Sequence, residues 1–169
     1  MANAEGHRAT NAMNTHPTPA SQLAAAVDEL HQAVTADRAG AAAAVELVST
    51  AIADALRPYA PTVVVVRDNL DDGVLAHVVS RELDLPTVRI YEDSGLLSLS
   101  PPPAPGARVA LLAASWHDMS ALPALRLLLA HAHAEVVAVA AALPVTDAVL
   151  AAVDGTPVVT AAAISRTHR

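Results

Sequence analysis

The chain has 169 residues, a net charge of -7 and an apolar fraction of 53%, with only 2% aromatic residues, so one domain with a core of Val, Leu and Ala is expected. Every basic residue is Arg and Cys is absent, which excludes Schiff-base and P-loop lysines, thiolate nucleophiles, disulfides and cysteine-ligated metal sites. The acidic balance also excludes general nucleic-acid binding, which needs a basic face.

Residues 1–20 have no apolar h-region and read as a disordered tail. Ser21 is a candidate cap for a helix in which Leu23, Val27, Leu30 and Val34 recur at helical spacing. After Gly40 a second helix carries Val45, Val48, Ile52 and Leu56 on one face and ends before Pro58, giving a helical pair over 21–58. The run Thr62–Val66 is β-branched throughout, the mark of a strand buried on both faces of a parallel sheet.

A polar loop, Arg67 to Gly73, precedes a helix lined by Val74, Leu75, Val78, Val79 and Leu83. Thr87–Tyr91 is a strand, Ser100–Gly106 a rigid linker, Arg108–Ala113 a strand and Leu122–Ala132 a helix containing the core run Leu127-Leu128-Leu129. Glu135–Leu143, Thr146–Val153 and Pro157–Val159 continue as strand, helix and strand. Residues 59–169 therefore predict a doubly wound, mostly parallel α/β sheet, with the leading helices as an N-terminal appendage. The most apolar window, Leu127–Val145, is broken by His131, His133 and Glu135, so no membrane span and a cytoplasmic location are expected.

In such sheets ligands bind at the carboxyl ends of the strands, which directs attention to the loops 67–73 and 114–121. Asp68, Asp71 and Asp72 read either as hard-oxygen ligands for a divalent cation or as a solvated loop in which Asp71 or Asp72 caps the next helix. The second is favoured, because the regular alternation of a calcium loop is missing. His117 and Asp118, beside Ser115 and Ser120, suggest a Ser/His/Asp site, but adjacent residues do not orient one another as a triad does. They read better as ligand or partner contacts. Ser120 as helix cap places Pro123 at the third helical position, where a missing N–H costs nothing. Trp116 either stacks on a base or ribose or anchors the loop. His131 and His133, two apart, fall on different helix faces and read as structural.

From Thr62 to Val159 the order of elements resembles the type I phosphoribosyltransferases. The likeness rests on the helix with Leu75-Ala76 closing at Leu83-Asp84-Leu85-Pro86, and on the strand at Val88. It continues in the turn Pro105-Gly106-Ala107-Arg108 before Val109–Leu112, the stretch Ala134–Val137, and Gly155-Thr156-Pro157-Val158-Val159. The resemblance implies an acidic pair and a glycine-rich loop after Leu112, holding the ribose hydroxyls and 5′-phosphate of phosphoribosyl pyrophosphate. It also implies a first loop that binds pyrophosphate through backbone amides.

Here the acidic positions are Ala113 and Ala114, and Met119 stands where a glycine is expected. Asp118 brings a carboxylate to the helix start, and Asp68, Asp71 and Asp72 oppose a pyrophosphate in the first loop. Glu92–Leu97, where relatives often carry a basic residue on a mobile loop, is acidic and short. The expectation is a family member without transferase catalysis and without a cofactor. It would act as a regulatory or accessory protein and homo- or hetero-oligomer, binding a nucleotide-like ligand or protein partner through Arg67, Asp68, Asn69, Asp71, Asp72, Gly73, Ser115, Trp116, His117, Asp118 and Ser120. The alternative is an active transferase that moves ribose 5-phosphate from phosphoribosyl pyrophosphate to a nitrogenous base with Mg²⁺.

Overall fold

The computed structural model describes residues 17–36, 42–116 and 121–167. Helix α1 (Pro19–Thr35) begins earlier than Ser21 because Thr18 is its cap, its Oγ1 accepting from the Ser21 N–H, with Pro19 supplying a first residue that needs no donor. The described chain thus enters its first helix inside the stretch read as tail, while residues 1–16 lie outside the described residues. Helix α2 (Ala42–Leu56) buries Val45, Val48, Ile52 and Leu56 on one face, as their spacing predicts. A 3₁₀ turn (Arg57–Tyr59) follows it and leads into the sheet.

Strand β1 (Val63–Arg67) lies at the centre of a six-stranded sheet with α3 (Leu70–Leu83) after it. Then come β2 (Thr87–Asp93), β3 (Leu96–Ser100), β4 (Arg108–Ala113), α4 (Ala121–His131), β5 (Glu135–Ala141), α5 (Asp147–Ala152), β6 (Val158–Thr160) and α6 (Ala161–Thr167). The strand order is β3-β2-β1-β4-β5-β6, and every pairing is parallel except the β2–β3 hairpin. The order reverses between β1 and β4, so the crevice beyond their carboxyl ends is the switch point.

The continuous Val63–Val66 run is buried on both faces. Val64 and Val66 join the core under α2 and α3, and Val63 and Val65 the core under α4. Helix α2 packs on α3 and reaches β5 and β6, while α1 lies outermost, against α2 and α6. Residues 21–58 and 59–169 therefore share one hydrophobic core in this α/β/α arrangement.

Several local expectations are corrected. Residues 96–100 form an edge strand closed by a turn at Ser94 and Gly95, both at positive φ, in a stretch for which no strand is expected from the sequence. Ala161–Thr167 adds a terminal helix beyond the last expected strand, in keeping with the helix propensity of its alanines. Of the three consecutive leucines in α4, Leu129 is buried but Leu127 is 59% exposed, since three adjacent residues sweep more than half a helix turn. Val74 is likewise exposed rather than core.

Candidate functional site

The loop read as Arg67 to Gly73 is shorter than expected, because α3 already begins at Leu70. Its cap is Asn69, not Asp71 or Asp72. The Asn69 Oδ1 accepts from the Asp72 N–H at 2.9 Å, and the Asp72 Oδ2 accepts in return from the Asn69 Nδ2 at 2.8 Å. The cap and the third helical residue are thus joined twice, the Asn69 carboxamide accepting from the Asp72 backbone and donating to its carboxylate. This double link holds the Asp72 side chain back over the end of β1.

There Asp72 is 1% exposed, which contradicts the reading of a uniformly solvated acidic loop. Its Oδ2 also accepts from Arg67 Nε at 2.9 Å, and its Oδ1 accepts from the backbone N–H of Ala114 at 2.6 Å. A buried carboxylate holds its place only when its lone pairs are met, and three donors meet these. Arg67 Nη2 donates to the Ser115 carbonyl at 2.9 Å, and the guanidinium lies 5.5 Å from the centre of the Trp116 ring. The Trp116 Nε1 donates to the Ala140 carbonyl at 3.0 Å. One connected network thus crosses the switch point from β1 and α3 to β4 and β5.

Trp116 is 3% exposed and packs among Leu122, Leu125 and Val139, so in this arrangement it anchors the loop instead of offering a face for stacking. Ser115 is buried and enters the network through its carbonyl. His117, Asp118 and Ser120 lie outside the described residues, as does Met119. Ala113 and Ala114 are both buried, on opposite faces of the sheet, the first in the core under α4 and the second in the core under α2 and α3.

The three aspartates part company. Asp68 faces outward and pairs with Arg89 of β2 at 3.2 Å, beside a groove of 510 Å³ lined also by Asn69, Gly73 and His77. Asp71 stands at the rim of a smaller apolar cavity. Among the described residues no three His, Asp or Glu side chains converge as metal ligands. Arg89 and His77 were not candidates from the sequence. The alternation of Val88 and Ile90 inward with Arg89 outward is the signal that identifies the first of them.

No protein-family model and no curated protein matches the chain. Solved structures do. Adenine phosphoribosyltransferase from Rhodothermus marinus superposes with a TM-score of 0.62 at 17% identity, over 82% of this chain and 98% of that one. UMP synthase from Leishmania donovani gives 0.64 at 18% identity, over 83% of this chain and 35% of that one. Adenine phosphoribosyltransferase from Thermoanaerobacter pseudethanolicus gives 0.54 at 13% identity, over 66% and 76%. At these identities the likeness is one of fold: the chain has the phosphoribosyltransferase fold.

Proposed function

We propose that this chain uses the phosphoribosyltransferase fold without transferase chemistry, as an accessory or regulatory protein that binds a nucleotide-like small molecule or a protein partner. The observation that carries this reading is the placement of Asp72. Its buried carboxylate lies between the ends of β1 and β4 and takes the Arg67 guanidinium and the Ala114 amide, the two groups there best suited to an anion. A sugar diphosphate entering the crevice must either approach that negative charge or strip it of its donors. Stripping a buried carboxylate of its partner costs about 3–5 kcal/mol.

The register of the resemblance adds support. Ala113 and Ala114 stand where carboxylates would grip the ribose, and neither side chain can hold a hydroxyl. Magnesium fits poorly as a resident ion: both Asp72 oxygens are committed, Asp68 turns to Arg89, and no ligand cluster forms among the described residues.

The test is calorimetry of the full chain with phosphoribosyl pyrophosphate and Mg²⁺, repeated with nucleoside monophosphates, alongside a pyrophosphate-release assay over a panel of bases. The expected result is no pyrophosphate release and no micromolar binding of the diphosphate. Release on adding a purine or pyrimidine would establish the transferase instead. Light scattering tests the expected oligomer.

A further inference from the structure

We propose that the apolar cavity between α1, α3 and the ends of β4 and β5 binds a small apolar ring that carries an amine. This goes beyond the function proposed above, since the guest is neither a nucleobase nor a phosphate and its cavity lies beside the Asp72 crevice. The cavity measures 130 Å³, and cavities of about 150 Å³ with aliphatic walls take up benzene-sized guests. Ala114 and Ala142 form its floor, Leu30 and Ala33 its wall, and Leu70 and Val74 its mouth.

Two observations point to an apolar guest. The first is the state of the backbone at the floor. The Ala114 N–H goes to Asp72 and its carbonyl accepts from the Leu143 N–H at 3.0 Å, while the Ala142 N–H goes to the Ala113 carbonyl at 3.3 Å. These strand-end donors are spent. A nucleobase buried there would leave its edge nitrogens and carbonyls unmet by them, a heavy penalty that an apolar ring escapes. The second is the exposure of large aliphatic side chains at the mouth. Leu70 is 72% and Val74 42% exposed, one helical turn apart on α3, although the Asn69 cap needs neither of them. Both also border the groove beside Asp68, and a guest in the cavity would cover the faces they turn toward it.

Asp71 sets the other half of the specificity. Among the described residues it is the one charged side chain on the lining and it is exposed, so the polar end of the guest faces a carboxylate. An ammonium matches it, and a phosphate does not.

The experiment is titration calorimetry of the full chain with benzylamine, indole, adenine and uracil. Benzylamine and indole are expected to saturate one site, with adenine and uracil at least about tenfold weaker. Ala142→Leu fills the floor and should abolish binding of both apolar rings. Because that change strains the core, Leu70→Asn at the exposed mouth serves as the second variant and should weaken both several-fold. Asp71→Asn should weaken benzylamine by about two- to fivefold and leave indole unchanged. Absence of saturable binding for either apolar ring, bases binding as tightly as indole, or affinities unmoved by Ala142→Leu and Leu70→Asn would overturn the assignment. Pyrophosphate release is a separate readout, so failure of the function proposed above is distinguishable from failure of this inference.

Discussion

Helix α3 is tied to its neighbours by an arginine–carboxylate pair at each end, and the two pairs differ in everything but length. At the N-terminus Arg67 Nε lies 2.9 Å from Asp72, and near the C-terminus Arg81 Nη2 lies 2.8 Å from Glu46 of α2. Asp72 is 1% exposed and receives two further donors, whereas both partners of the second pair are 50% exposed and Arg81 divides itself between Glu46 and Glu82. Distance alone therefore says little about what a pair does. At the crevice the Asp72 carboxylate is out of water and depends on its donors, although Arg67 itself is 34% exposed. At the surface the charges are screened and replaceable.

Breaking the buried pair should have the largest effect. Asp72→Ala removes the carboxylate that meets Arg67, Asn69 and the Ala114 amide; Arg67 is partly exposed and can be rehydrated, the Ala114 N–H is left unmet, and a loss of about 2–3 kcal/mol in urea unfolding is expected. Next is Trp116→Phe, which keeps most of the ring volume but removes the donor to Ala140. About 1–2 kcal/mol should go, visible as a lower urea midpoint. Gly73→Ala sharpens the comparison from the stabilising side. Gly73 lies in the first turns of α3, and an added Cβ there meets no atom within 4 Å, so about 0.5–1 kcal/mol should be gained in thermal unfolding.

The surface pair gives the smallest effect and the one most sensitive to conditions. The hydrogen bond from Arg81, aided by its charge, holds the Glu46 carboxyl below the ordinary carboxylate range, and the same bond raises Arg81. A lowered folded value means that Glu46 contributes above its unfolded pKa and stops contributing as pH falls through its folded one. Urea midpoints of the chain and of Glu46→Gln should therefore differ slightly near neutral pH and converge in acid and in molar salt. The Asp72→Ala gap should survive the salt.

How far these features can be read in the residues depends on the range of the interaction behind them. The central strand is legible because four consecutive valines have no other comfortable setting, and α1 and α2 because their stripes are strictly periodic. The β3 edge is not, because Leu96–Ser100 alternates over only five residues and runs into the proline-rich segment. Asn69 as cap is a local signal, an Asn whose side chain reaches the N–H three residues on. The burial of Asp72 is not local, since its decisive donor, the Ala114 amide, lies 42 residues away. Three aspartates within five residues look alike in sequence. The fold sends one outward to Arg89, one to a cavity rim and one into the crevice.

Trp116 is the only tryptophan and lies against Arg67, so its fluorescence reports directly on whether the crevice exchanges its own carboxylate for an incoming anion. Titrating the chain with phosphoribosyl pyrophosphate and Mg²⁺ should leave the emission flat through the micromolar range. A saturable change at micromolar donor, with Arg67 drawn off the indole, would contradict the claim that Asp72 holds that place for itself.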